Sequence, residues 1–328
     1  MARIDVWLPV RDGARFLERA VASVARQTFR DWRLILVDDG SRDGTAGIAA
    51  RLALRDSRIH VVTRPAEGIV AALQAAAAHS DAPWVARMDA DDVCHRRRLE
   101  WQRDVRADVV AGRARCGGSA GEGMRLYVRW QNGLVTHEEI AGSLFIDSPL
   151  VHPTVLMSRA MYERAGGYLE TGGPEDYELW LRAWRAGARF SKVPRTVLTW
   201  RDRPDRLTRT HPMYSPAAFR RAKLEHLPHH PAVKRRPVTM WGAGPIGRAW
   251  IRDLESRGVE VERAIDIDPR KIGRRIRNRI PIVDPEEGLA RRHGAILGAV
   301  GSRGARDLIR RRLLQAGLAE ASDFLFLA

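Results

Sequence analysis

A chain of 328 residues, 45% hydrophobic and 29% charged, is long enough for two folded domains and is neither disordered nor fibrous in composition. No window approaches the ~20 consecutive apolar residues of a membrane-spanning helix, no signal peptide is expected ahead of the first strand pattern, and Cys94 and Cys116 suit a reducing cytoplasm rather than a disulfide framework. The net charge of +16 is arginine spread along the chain, so no nucleic-acid partner is expected, although it is compatible with peripheral contact with an anionic inner membrane face.

In chain order, residues 4–8 read as a strand ended by Pro9. Asp12 then caps a helix with Phe16, Leu17, Ala20, Val21 and Val24 on one stripe. Residues 34–37 are a second, wholly apolar strand of the kind buried on both faces, ending in Asp38-Asp39-Gly40-Ser41, and Asp43 or Thr45 opens the next helix. Residues 59–62 form a third strand, 66–79 an alanine-rich helix, and 84–88 a fourth strand that runs into Asp89-Ala90-Asp91-Asp92. Strands alternating with helices at this spacing predict an α/β fold with a parallel sheet and right-handed crossovers. Ligands of such sheets bind outside the carboxyl ends of the strands, where both acidic clusters fall.

Asp89 and Asp91, two residues apart on an extended chain, lie on one side. Hard oxygen ligands that close repel each other unless a cation sits between them, and Mg²⁺ or Mn²⁺ held this way shares its remaining sites with substrate phosphates. A solvated acidic turn capping the next helix accounts for either cluster alone. A cleft for a nucleotide and a metal accounts for both.

Leu8-Pro9, Arg26-Gln27-Thr28-Phe29, Val37-Asp38-Asp39-Gly40-Ser41, Ala86-Arg87-Met88-Asp89-Ala90-Asp91-Asp92 and Gly173-Pro174-Glu175-Asp176-Tyr177 stand in an order and spacing that resembles the inverting glycosyltransferases of family 2. The resemblance covers residues 1–225 and implies the GT-A fold, a mixed, mainly parallel sheet flanked by helices. It implies that Pro9, Val10, Arg11, Asp38, Asp39, Arg64, Arg87, Asp89 and Asp91 bind a nucleotide-diphosphate sugar, with a UDP-sugar the family's usual donor. Asp39 would meet the nucleobase and Asp89 the ribose, and Asp91 with Asp89 would hold the metal that bridges the diphosphate. Arg203 and Arg206 lie in a segment that folds over the diphosphate in related enzymes, and His211 is a further candidate metal ligand. His152, Pro153 and Thr154, with Trp180, would line the side of a saccharide or lipid-linked glycan acceptor in cell-surface polysaccharide synthesis. The sequence departs from the family pattern at Arg11 and Asp12, where an aromatic residue and Asn are usual, and at Gln74, where Asn is common.

Inverting transfer needs a carboxylate to take the acceptor hydroxyl proton, and the resemblance gives that role to Asp176, with Glu175 beside it. Gly173 and Pro174 suit a helix start, Tyr177, Trp180, Leu181 and Trp184 form a stripe, and Gly187 ends the helix. Asp176 then sits in the first turn, where the helix dipole is expected to favour its ionised form. On helix statistics alone both acids are ordinary first-turn residues. Residues 104–148, glycine-rich around 117–121, show little periodicity and are expected to carry acceptor recognition.

Residues 226–236, with Pro228, Pro231 and a short basic run, read as a linker to a Rossmann-like domain at 237–328. There a strand enters Gly242-Ala243-Gly244-Pro245-Ile246-Gly247, a helix follows, and the next strand closes in Asp266 and Asp268. Gly242, Gly244, Gly247, Asp266 and Asp268 form an expected site for NAD(P) or another nucleotide, with a phosphate on the helix N-terminus. Residues 237–328 hold no Tyr and His293 as their one His, too little for a complete dehydrogenase. Two readings therefore stand: a metal-dependent glycosyltransferase, and a non-catalytic sugar-nucleotide binder serving an NAD(P)-dependent sensor or oxidoreductase.

Overall fold

The computed structural model describes residues 3–118, 120–234, 236–302 and 304–328. Met1 and Ala2 ahead of the first strand, Ser119 of the glycine-rich stretch and Arg235 of the expected linker lie outside them. The chain forms two units, one of residues 1–140 and 149–218, the other of 141–148 and 219–328.

In the first unit the alternating apolar runs become β1 (Ile4–Val10), β2 (Trp32–Asp39), β3 (Ile59–Arg64) and β4 (Trp84–Arg87), paired in parallel in the order β3-β2-β1-β4. The connecting helices are α1 (Leu17–Ala25), α2 (Thr45–Arg55) and α3 (Ile69–Ala78). The eight-stranded sheet continues through β7 (Leu156–Ser158), β6 (Val109–Gly117), β8 (Phe190–Arg201) and β5 (Val93–Cys94). β7 runs antiparallel to β4 and β6, β8 parallel to β6, and β5 antiparallel to β8. The sheet is thus mixed and mainly parallel, as expected. Leu8, Leu34 and Leu36 are fully buried within it, each contributing ~1.5–3 kcal/mol through burial.

Two local expectations need correction. β1 does not stop at Pro9 but runs to Val10. The Trp7 carbonyl accepts from Met88 N on the β4 side, and Pro9 presents its missing N–H on that same side, where β4 has already ended at Arg87. Asp12 does not cap α1, which begins only at Leu17. Asp12 adopts a positive φ of 52° and its carboxylate accepts from Arg42 N at 2.7 Å, bridging the loops after β1 and β2. Residues 104–148, where the sequence shows little periodicity, contain β6, α5 (Glu122–Gly133) and α6 (His137–Ser143) among the described residues.

The second unit is a six-stranded sheet in the order β11-β12-β10-β9-β13-β14. Its strands are β9 (Val238–Trp241), β10 (Val261–Ile265), β11 (Arg275–Ile276), β12 (Ile280–Val283), β13 (Ile296–Gly298) and β14 (Phe324–Phe326). All neighbours are parallel except the β11–β12 pair. Helix α11 (Pro245–Glu255) follows β9, and Asp284 caps the next helix by accepting from Glu286 N and Glu287 N. Residues 226–236 are not an extended linker: Leu227, His230 and Val233 are buried and belong to this unit.

Among the described residues two buried lysines spend their ammonium groups on backbone carbonyls. In the first unit Lys192 Nζ donates to the Gln131 and Pro149 carbonyls, and in the second Lys223 Nζ donates to those of Ile146 and Leu327. Burial disfavours their charged forms and lowers the pKa of Lys192 to about 7 and of Lys223 to about 8. Between these values and the ordinary lysine range the unfolded chain binds more protons than the folded one, so stability rises with pH across that window. Chemical denaturation from pH 7 to 10 is expected to show this rise, and Lys192→Met to flatten it.

Candidate active site

The site is built at the carboxyl ends of β1, β2 and β4. β2 and β4 flank β1, which puts their ends roughly 10 Å apart. Gly13 N donates to Thr45 Oγ1 at 2.9 Å and Ala14 N to Asp43 Oδ2 at 3.0 Å, so the loops after β1 and β2 are stitched together. Asp38 turns back to accept from Ser41 N at 3.1 Å. Asp39 is buried, accepting from Arg64 Nη1 at 3.0 Å, Glu67 N at 3.1 Å and Gly68 N at 2.8 Å. It therefore locks the turn between β3 and α3, with Arg64 as its ion-pair partner. Pro9 and Val10 are buried strand residues, whereas Arg11 is exposed at the rim.

Beyond β4 the chain turns and brings Asp89, Asp91 and Asp92 together, one oxygen of each lying within 4.8 Å of the others. Arg87, almost wholly buried, donates to Asp89 Oδ1 at 2.6 Å. Burial works against ionising Asp89, but Arg87, His152 and Arg206 outweigh it and hold its carboxyl below the usual range. Burial and the neighbouring carboxylates push Asp91 up and Asp92 well up. Asp92 accepts from Arg201 N at 2.7 Å through Oδ1, while its Oδ2 is buried with no hydrogen-bond partner. A set of hard oxygens with a buried, unpartnered member fits a divalent cation. Asp92 was not on the list of expected ligands. Strand alternation would turn it away from Asp91, and only the turn after β4 brings it back.

The arginine segment after β8 lies against this group. Arg203 Nε is 3.0 Å from Asp91 Oδ2, and Arg201 Nε donates to the Asp91 carbonyl at 3.1 Å. Arg206 stacks on Trp200, its guanidinium carbon 4.3 Å from the ring centre. His211 is not brought into the acidic group; it is exposed, and its Nδ1 accepts from Met213 N within its own turn.

Helix α8 (Glu175–Arg185) begins one residue later than expected, with Pro174 as its cap. Glu175 is 4% exposed and Asp176 is half-buried. The helix-dipole expectation for Asp176 does not hold: burial and the adjacent Glu175 charge push its carboxyl well above the usual range. Glu175 goes the other way. Burial opposes its ionisation, but His152 and the Tyr214 hydroxyl outweigh it. His152 Nδ1 lies 3.5 Å from Glu175 Oε1, and its Nε2 is 2.7 Å from Tyr168 Oη. Of the expected acceptor-side residues, Pro153, Thr154 and Trp180 are buried; Thr154 Oγ1 is spent on the Val151 carbonyl and Trp180 packs on His152. These residues support the site from behind and do not line an open face. Tyr168 and Tyr214 escaped the sequence reading because no local pattern marks them. Gln74, where Asn is common, donates to the Tyr168 carbonyl at 2.9 Å.

In the second unit the glycines separate by cause. Gly242 has φ +118°, and a Cβ there would lie 2.8 Å from the Ala299 carbonyl oxygen. A Cβ on Gly247 would lie 1.7 Å from the Gly242 carbonyl oxygen, whereas one on Gly244 meets nothing within 4 Å. Asp266 accepts from Ala243 N at 3.0 Å, Asp268 N at 3.0 Å and Lys271 Nζ at 2.9 Å, and Asp268 is paired with Arg270. Asp266, expected in a nucleotide site, is occupied with closing its own loop.

Residues 5–165 match the family model described as glycosyl transferase family 2. EpsE of Bacillus subtilis (strain 168), a protein named for glycosyl transfer, is 29% identical over 222 residues, 65% of this chain and 78% of that one. The bifunctional glycosyltransferase pgtA of Dictyostelium discoideum is 26% identical over 200 residues, 50% of this chain and 26% of its own length. Among solved structures, S. aureus TarS 1-349 in complex with UDP-GlcNAc superposes with a TM-score of 0.55 at 16% identity, covering 77% of this chain and 80% of that one, a likeness of fold.

The glycine geometry predicts that Gly247→Ala destabilises the second unit by about 2–4 kcal/mol, because a backbone carbonyl blocks the new methyl group. Gly244→Ala, at a helix cap with free space, is expected to cost under about 1 kcal/mol. Thermal melts of the two variants check the difference.

Proposed function

Starting from a chain whose residues 5–165 are a family 2 glycosyltransferase domain, we propose that it moves a sugar from a nucleoside-diphosphate sugar to a hydroxyl of a saccharide or lipid-linked glycan, with inversion and with Mg²⁺ or Mn²⁺, in polysaccharide synthesis. A uridine diphosphate sugar is the donor class to test first, since TarS, similar in fold, was solved with UDP-GlcNAc. The observation that carries the reading is the Asp89, Asp91 and Asp92 group with its unpartnered buried Asp92 oxygen, beside the Glu175–Asp176 pair.

Asp89, Asp91 and Asp92 would hold the cation, which supplies positive charge to the leaving diphosphate. The chain's own residues do the rest. Arg203 and Arg206 present guanidinium groups to phosphate oxygens. Asp38 and Asp39 order the loops around the nucleoside. Asp176 takes the proton of the acceptor hydroxyl as its oxygen bonds to the anomeric carbon and the bond from that carbon to the diphosphate oxygen breaks. A carboxylate whose proton affinity is raised by burial is a better base than a solvated one. Among the described residues no helix is long and apolar enough to cross a membrane. We place the enzyme in the cytoplasm, with a lipid-linked acceptor met at the inner membrane face.

Melting-temperature screens of UDP-, GDP- and dTDP-sugars with and without Mn²⁺ test the donor reading. UDP-sugars are expected to stabilise the wild type in a Mn²⁺-dependent way, and Asp91→Asn to lose that dependence. A panel with no Mn²⁺-dependent stabilisation counts against it. Asp176→Asn is expected to keep nucleotide binding and to lower turnover by about 10²–10⁴-fold. Arg203 stands against Asp91 as an internal cation. Arg203→Gln is therefore expected to tighten Mn²⁺ binding to the free protein and to weaken UDP binding in the presence of Mn²⁺, both readable by calorimetry.

A further inference from the structure

Four polar groups from four separate segments form a line behind the base. Tyr168 follows α7 (Arg159–Arg164), His152 stands in a 3₁₀ turn, Glu175 opens α8, and Tyr214 ends the turn after the arginine segment. Tyr168 Oη and His152 Nε2 are 2.7 Å apart, His152 Nδ1 and Glu175 Oε1 are 3.5 Å apart, and the Tyr214 hydroxyl donates to Glu175 Oε2 at 2.5 Å. Each Glu175 oxygen therefore has its own partner. Asp176, the next residue, accepts from the backbone N–H of Tyr177 at 2.7 Å.

Two adjacent carboxylates in a poorly solvated site compete for one proton, and their surroundings decide which keeps it. The titratable and charged groups that act on the pair are Arg87 at the end of β4, His152, Tyr168 and Tyr214, and Asp89 beyond β4 acts on Tyr214. Arg87 acts on both carboxylates and does not separate them. His152 and Tyr214 do, because their hydrogen bonds are directed at Glu175.

We propose that Tyr214 is a positioning residue for the base: by hydrogen bonding to Glu175 it keeps that carboxylate as the anion of the pair, leaves the proton affinity on Asp176, and fixes the root of the arginine segment to the helix that carries the base. This rests on the reading of Asp176 as the base. The same bond ties the two halves of the reaction together. The segment that begins with Arg203 against Asp91 on the donor side ends with Tyr214 against Glu175 on the acceptor side.

Carboxyl ¹³C NMR titration of the free protein reads both acids without any substrate. In the wild type, Glu175 is expected to titrate at lower pH than Asp176. In Tyr214→Phe, which keeps the ring, the two midpoints converge, with Glu175 moving up and Asp176 down. In Glu175→Gln the Asp176 midpoint falls, and adding Tyr214→Phe moves it no further. With UDP-GlcNAc hydrolysis as the activity readout, Tyr214→Phe is expected to shift the acid limb of the pH profile to lower pH. Its kcat falls about tenfold while KM for the donor stays within about twofold. Midpoints that do not move in Tyr214→Phe overturn the proposal. Unchanged turnover in Asp176→Asn overturns the base assignment beneath it, whatever the titration shows.

Discussion

Like charges crowded at the carboxyl end of β4 set the terms for the rest of the first unit. Three carboxylates within one small volume, one of them fully buried, cannot all ionise without compensating positive charge. The protein supplies part of it in fixed form. Arg87 is held beneath Asp89 and Arg203 comes from beyond β8 to meet Asp91, while Asp92 is met by the backbone N–H of Arg201 and by no guanidinium among the described residues. The unpartnered Asp92 oxygen marks what these arginines leave uncompensated. On the function proposed above, a divalent cation would answer that need, and a diphosphate bound with it would give the arginines an anion of their own.

The Glu175–Asp176 pair repeats the same physics with a different solution. Glu175 and Asp176 are adjacent on one helix turn, and no arginine separates them. Hydrogen bonds directed at one member do so instead, from His152 and Tyr214. Burial, which raises the cost of a second charge, makes that directional difference count. The buried His152, Thr154 and Trp180 behind the pair hold the arrangement rigid from inside the fold.

The second unit shows how far a motif and its usual purpose can part. Gly242 and Gly247 are demanded by backbone approach within the unit itself, and Asp266 accepts from Ala243 N in the loop between them. Its sheet runs β11-β12-β10-β9-β13-β14, and Asp266, one of the acids of the expected nucleotide site, is committed to Lys271 and its own loop.

The amino-acid order by itself determined the four parallel strands of the first unit, though not their order in the sheet, the position of both acidic clusters at strand ends, the stripe of α8 and the strand-glycine-helix opening of the second unit. These follow from short-range periodicity and from the rule that ligands meet parallel strands at their carboxyl ends. It did not determine that Asp12 bridges two loops, that Asp92 turns back toward Asp91, that Thr154 and Trp180 are buried, or that Tyr214 reaches Glu175 across 39 residues. It also missed the direction in which the Asp176 carboxyl is pushed, because a helix dipole is local whereas burial and the Glu175 charge are set by packing from all sides. Side-chain partners brought together by loops from distant segments leave no periodic trace in the chain, so only the folded arrangement could assign them.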